Sequence, residues 1–77
     1  MTMKEHERIV LKVRLPAEGL EAGDVGTIVH VYRDGKAFEV EFLTLAGRTA
    51  AVATLEEAQI RPVGPREITH AREFAAA

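Results

Sequence analysis

Residues 25–42 have the sequence VGTIVHVYRDGKAFEVEF, which predicts two β-strands joined by a tight turn. The first half is rich in β-branched side chains, and the second half alternates apolar and acidic residues, as expected for a strand with one buried face. Asp34-Gly35 lies between them and is a strong hairpin signal, because a type I′ turn needs two residues that tolerate positive φ. A β-hairpin is therefore the best-determined element of the sequence.

A two-residue turn at this position also predicts the register of the hairpin. The predicted core pairs are Val31–Phe38, Val29–Val40 and Thr27–Phe42, and the outward pairs are His30–Glu39 and Ile28–Glu41. A slip of one residue would place Glu39 and Glu41 against the core, so this register should be strongly preferred.

Three further strands are predicted outside the hairpin. Residues 9–15 alternate apolar and basic side chains up to Pro16, which predicts a strand. Residues 49–54 predict another strand, but their small side chains do not decide which of its two faces is buried. After a short helical turn, a last strand begins at Ile60, and Pro62 confines it to a sheet edge. This pattern predicts an all-β fold, a small five-stranded SH3-like barrel with a short C-terminal helical tail. The predicted core consists of Ile9, Leu11, Val13, Leu20, Val25, Val29, Val31, Phe38, Val40, Phe42 and Ile60.

The chain has 77 residues, which is enough for one domain. We expect an N-terminal tail over residues 1–8, the barrel over residues 9–63 and a C-terminal tail over residues 64–77. Pro65 suits the first turn of a helix, and Ile68 and Phe74 give the tail an apolar stripe. Because so short a helix is marginal in water, we expect it either to dock on its own barrel, on a second copy or on a partner, or to form a frayed end.

Composition argues against several functions. The formal net charge is −2 with acidic and basic residues interspersed, whereas a nucleic-acid binder usually carries a basic stripe. There are no cysteines, which fits a reducing cytoplasmic location without disulfides. The N-terminus has no apolar signal-peptide region, and no apolar run is long enough to span a membrane.

Candidate chemistry is sparse. His30 opposite Glu39 is the only histidine–carboxylate pair that the register places together, and an exposed cross-strand pair explains it more simply than a catalytic dyad. The three histidines match no metal-ligand spacing, so we expect no catalytic residues, no metal and no cofactor. The candidate partner-binding residues are Ile68 and Phe74 in the tail and Glu39 and Glu41 on the outer face.

Three segments carry a family resemblance. They are LPAEGLEAGDVGTIV at residues 15–29, AFEVEF at residues 37–42 and IRP at residues 60–62. Together they resemble a family of small bacterial proteins known as domain of unknown function 4926, from about Ile9 to Val63. The resemblance implies an SH3-like barrel and no established activity.

GDVGTIV at residues 23–29 also looks like a KOW-type strand and loop, a feature of ribosomal proteins and transcription elongation factors. The basic residues that accompany RNA-binding examples are missing around it. We therefore expect a non-enzymatic protein-binding module, such as an accessory, antitoxin-like or immunity-like partner of another protein. The alternatives are a KOW-like nucleic-acid-binding module and, for the tail or an edge strand, a homo-oligomer.

Overall fold

The computed structural model of the protein describes residues 3–75, so the outermost residues of both predicted tails, 1–2 and 76–77, lie outside it. Five antiparallel strands form one sheet in the order β4-β3-β2-β1-β5. The strands are β1 (Arg8–Leu11), β2 (Val25–Val31), β3 (Ala37–Leu43), β4 (Thr49–Glu56) and β5 (Ile60–Pro62). Single 3₁₀ turns lie at Pro16–Glu18 and Glu57–Gln59. The prediction of an all-β fold with five strands is confirmed.

The sheet is not closed into a barrel, so that part of the prediction is corrected. Within residues 3–75, β4 pairs only with β3 and β5 pairs only with β1, which leaves β4 and β5 as the two edges. β5 is three residues long, and Pro62 at its end has no N–H to donate to a further strand. Side chains from all five strands nevertheless meet in a single hydrophobic core.

The β2–β3 hairpin has the predicted register near its turn and a different register farther away. Val31 lies opposite Phe38 and His30 opposite Glu39, as predicted. The register then shifts, so that Ile28 lies opposite Val40. Val29 is therefore the extra residue of a β-bulge, and the predicted pairing beyond it is wrong.

The turn itself also differs from the predicted type. The N–H of Tyr32 donates to the carbonyl of Ala37 at 2.9 Å, which encloses a four-residue loop instead of a two-residue one. Only Gly35 adopts positive φ in this loop, whereas a type I′ turn needs two such residues. Asp34 instead accepts a hydrogen bond from the N–H of Lys36 at 2.9 Å.

The bulge decides which side chains of β2 are buried. Ile28 is 0% exposed, whereas Val29 is 42% exposed and Val25 also faces solvent. Val13 is exposed because β1 has already ended at Leu11. The predicted core positions 13, 25 and 29 are therefore wrong, and Val31 packs against the core while partly exposed. The buried hydrophobic residues are Met3, Ile9, Val10, Leu11, Leu20, Ile28, Phe38, Val40, Phe42, Ala53, Leu55 and Ile60.

Two further features follow from the same packing. From Ala51 to Leu55 the odd-numbered positions of β4 face inward, because Ala53 and Leu55 are buried while Val52 is exposed. In β2 the inward position two residues before Ile28 is Gly26. A Cβ there would lie 2.6 Å from Cγ1 of Val40 and 2.9 Å from the ring of Phe42, so only glycine fits without a shift of the core.

The C-terminal tail contains no helix between residues 64 and 75, so the predicted helical tail is wrong. After a turn at Pro65, the chain runs in irregular conformation to Phe74, which packs on the core. The end of the tail instead contacts the loop before β2, where Arg72 bonds to Asp24 and Phe74 packs on Gly19. These side-chain contacts place the segment in the absence of helical hydrogen bonds.

Substitutions at the two neighbouring positions of the bulge should differ sharply. Ile28→Ala removes a fully buried side chain and should lower the free energy of unfolding by about 2–5 kcal/mol. Val29→Ala is the matched control and should cost less than about 1 kcal/mol, because its side chain is half exposed. Urea or guanidinium melts of both variants measure the difference. A larger loss for Val29→Ala would contradict the bulge.

Candidate binding groove

The tail begins at an ion pair between Arg61 and Glu67. Nη1 and Nη2 of Arg61 donate to Oε1 and Oε2 of Glu67 at 2.8 and 2.7 Å, which is the two-point geometry that arginine and a carboxylate favour. The N–H of Gly64 also donates to Oε1 of Glu67 at 2.6 Å. The hydrogen bonds from Arg61 and from the Gly64 N–H lower the pKa of Glu67 to about 2. The pair fixes the direction in which the tail leaves β5.

A second ion pair holds the far end of the tail. Nε of Arg72 donates to Oδ1 of Asp24 at 2.9 Å, Nη2 donates to Oδ2, and Nη2 also donates to the carbonyl of Gly19 at 3.1 Å. The N–H of Glu21 donates to Oδ2 of Asp24 at 2.8 Å. Burial raises the pKa of Asp24, but the hydrogen bonds from Arg72 and Glu21 and the guanidinium charge outweigh it, so the pKa is lowered. Asp24 is thus a charged and satisfied carboxylate.

Phe74 lies two residues after Arg72 and packs on the same loop. Gly19 has φ of 72°, and a Cβ on it would lie 3.1 Å from Cε1 of Phe74, so the ring sits directly against the glycine backbone. The ring also packs against the hydrophobic core. The loop from Gly19 to Asp24, here called the 19–24 loop, therefore holds the end of the tail through one charged and one aromatic side chain.

An open groove of about 390 Å³ lies between the tail and the β3–β4 connection. We call it the tail groove, and its main apolar side chains are Val25, Phe42, Leu43, Leu45, Ile68 and Phe74. Ile68 is 92% exposed and Leu45 is 82% exposed. Large apolar side chains that face solvent around one groove are typical of a surface that binds another molecule.

The structure brings together two of the four predicted partner-binding residues. Ile68 and Phe74 line the tail groove, whereas Glu39 and Glu41 project from the outer face of β3. Glu39 accepts hydrogen bonds from the hydroxyls of Tyr32 and Thr54 at 3.1 and 2.6 Å. The outer face is therefore a separate surface on which these carboxylates already have neutral partners.

The histidine–carboxylate pair of the hairpin forms no dyad. His30 lies opposite Glu39 in register, but its nearest carboxylate is that of Glu5, with Nδ1 and Oε2 3.8 Å apart. The imidazole instead packs edge-on against Tyr32, with ring centroids 4.8 Å apart. Among residues 3–75 there is no group of three or more His, Cys, Asp or Glu side chains placed to hold a metal ion.

Sequence reasoning missed Asp24, Gly19 and Arg72. Asp24 fits a turn before a strand equally well, and its partner Arg72 is 48 positions away, so no local pattern connects them. Sequence reasoning also missed Leu45, for which a signal was available, because it is a large apolar side chain in the turn directly after β3.

The family model of DUF4926, a domain of unknown function, matches residues 5–62, which is well over half of the chain. The chain belongs to this family. Gly19 and Asp24 lie inside the DUF4926 match, whereas Arg72 and Phe74 lie beyond its end. A comparison with curated proteins found no match, and neither did a comparison with solved structures. Within residues 3–75 no helix is long and apolar enough to cross a membrane.

Replacing Arg72 should change the titration of Asp24. Because the pKa of Asp24 is held below its ordinary value of 3.8, the stability that the pair contributes is present above that pH and is lost as pH falls through the folded-state pKa. In Arg72→Met the pKa of Asp24 should rise, because burial still raises it while the hydrogen bonds and the charge of Arg72 no longer lower it. Carboxyl carbon NMR titration measures it. Arg66→Met is the matched control and should leave the titration of Asp24 unchanged, and an unchanged titration in Arg72→Met would disprove the pairing.

Proposed function

We propose that the protein is a non-enzymatic protein-interaction module that receives a segment of a partner protein in the tail groove. The observation that carries this proposal is the exposure of Ile68 and Leu45 on facing sides of one groove. Burying such a side chain against a partner is worth roughly 1.5–3 kcal/mol. Two such residues beside the half-buried ring of Phe74 form the centre of the proposed interface.

A protein segment fits this groove better than a small molecule. One wall is the tail, whose residue 68 stands almost fully in solvent, so a bound ligand would stay partly exposed. Small-molecule sites usually enclose most of the ligand surface. The ion pairs of Arg61 and Arg72 hold the tail at both ends, so the wall that a partner would contact is in place before binding.

The polar groups near the groove also favour binding over catalysis. Asp24 and Arg72 satisfy each other, and the sequence contains neither serine nor cysteine, the commonest side-chain nucleophiles. A general base also needs a proton to remove within hydrogen-bond reach, and neither carboxylate of the two ion pairs is free to act as one.

We also propose that the open sheet is a variant of the SH3-like arrangement. The support is a five-stranded antiparallel order in which β1 lies between β2 and β5, with a 3₁₀ turn between β4 and β5. A bacterial source and a cytoplasmic location remain predictions of the family resemblance and of the cysteine-free sequence.

Variants of the groove test the proposed function. Leu45→Glu combined with Ile68→Glu changes two exposed positions, so the fold should persist while an apolar partner is repelled. Partner proteins captured with the wild-type chain are identified, purified and titrated against each variant. We expect the double variant to weaken binding by about tenfold or more, since two buried apolar contacts are lost.

Two controls make this result specific. Glu39→Gln combined with Glu41→Gln changes the outer face, and binding should persist; loss of binding only in this variant would move the site to that face. Generic RNA and duplex DNA are tested at about 150 mM salt, where a chain without a basic stripe should bind weakly. Submicromolar nucleic-acid affinity would overturn the proposal in favour of the KOW-like alternative.

A further inference from the structure

The tail is held on the 19–24 loop by side chains alone. Arg72 supplies the charged contacts to Asp24 and Gly19, and Phe74 supplies the apolar contact. Between residues 68–75 and the rest of residues 3–75 there is no backbone-to-backbone hydrogen bond. Attachment of this segment therefore depends on which side chains it carries, as in the recognition of a short peptide motif.

The loop keeps its shape without help from the tail. Leu15 and Leu20 exchange backbone hydrogen bonds of 3.0 and 3.1 Å, and the N–H of Gly19 donates to the carbonyl of Pro16 at 3.1 Å. The N–H of Glu21 donates a hydrogen bond to Oδ2 of Asp24, which orients this carboxylate within the loop. All of these groups lie inside the DUF4926 match, which ends before the tail does. The docking surface therefore belongs to the domain, and its occupant comes from outside it.

The chemistry of the loop defines the ligand. Two carboxylate oxygens of Asp24 and the carbonyl of Gly19 accept from one guanidinium, a planar fork that lysine cannot reproduce. The backbone of Gly19 admits a flat ring because it carries no Cβ. Arg72 and Phe74 are two positions apart and both contact the 19–24 loop, so the ligand is a short segment with arginine and phenylalanine at that spacing.

We propose that the 19–24 loop is a docking site for a short Arg-x-Phe segment of a partner protein. The chain's own Arg72-Glu73-Phe74 occupies this site as an intramolecular competitor. Because the tail is tethered, its effective concentration at the loop is on the order of millimolar, and a partner must displace it. Asp24, Arg72 and Phe74 also line one end of the tail groove, but the docking site needs only their contacts with the 19–24 loop, so the inference does not require Leu45 or Ile68 to bind anything.

A peptide-binding measurement on the full chain tests this proposal. The double variant Arg72→Ala/Phe74→Ala keeps the tail but frees the loop. The probe is a fluorescent peptide with the sequence of residues 68–75, ITHAREFA, and a second probe places Arg-Glu-Phe between Gly-Ser flanks. We expect both probes to bind the double variant, and to bind the wild-type chain at least about tenfold more weakly because the tail competes.

Matched changes define the specificity. Adding Asp24→Asn to the double variant should abolish binding, as should replacing the arginine of the peptide by lysine or its phenylalanine by alanine. The double variant Arg72→Gln/Phe74→Leu, which keeps a long polar and an apolar side chain at the two positions, provides a second opened form if the first double variant melts at a lower temperature.

Three results would overturn the proposal. They are absence of peptide binding by both opened variants while each stays folded, equal binding of the lysine peptide, and a concentration-dependent dimer of the wild-type chain that the double variant lacks. The last result would assign the loop to the tail of a second copy. Adding Leu45→Glu/Ile68→Glu to the Arg72→Ala/Phe74→Ala chain should not affect peptide binding, so failure of the tail groove and failure of the loop site are distinguishable.

Discussion

Phe38, Val40 and Phe42 project from one face of β3, and the neighbouring strands place their buried side chains against them. Glu39 and Glu41 occupy the other face, and burying either carboxylate unpaired would cost several kcal/mol. This alternation leaves β3 a single acceptable orientation. β2 pairs with this face of β3 through a bulge at Val29. Because of that extra residue, Ile28 and Val31 both face inward, one on each side of the bulge.

The elements predicted correctly are those whose signals are local. Alternation in β3 and the Asp34-Gly35 turn signal were sufficient for the hairpin, and the pairing nearest the turn agrees with them. The bulge has no comparable signal, because Ile28 and Val29 are both apolar and β-branched and either would suit the core. The indirect signal is Gly26, because Val40 and Phe42 leave no room for a side chain at that inward position. Ile28, two residues later, faces the same side of the strand.

The candidate site was predictable only where its residues carry a local sequence signal. The apolar residues Ile68 and Phe74 predict a tail that makes contacts, but helical periodicity does not describe a segment that forms no helix between residues 64 and 75. What sets the tail conformation is the attraction of Arg72 for Asp24, and a contact between positions so distant in sequence leaves no trace in a local pattern. Residues 68–75 are therefore placed by tertiary contacts and not by their own propensities.

The two arginine–carboxylate pairs explain how the tail, which has no helix or strand between residues 64 and 75, keeps a defined course over the domain. Each pair uses two parallel hydrogen bonds, which fix orientation as well as distance. Between them Ile68 is presented to solvent instead of being drawn into the core. The tail thus forms one wall of a groove whose other wall is supplied by residues of the domain.

The extra residue in β2 bears on how sequences of this family compare with one another. Removing a bulged residue restores a regular ladder, so a relative that lacks the equivalent of Val29 would still pair Ile28 with Val40 and His30 with Glu39. Length variation at this point is compatible with an unchanged core. In such a relative the correct alignment gap lies within β2, opposite Val29. An alignment that allows gaps only in turns would align the wrong apolar residue of the relative with Ile28.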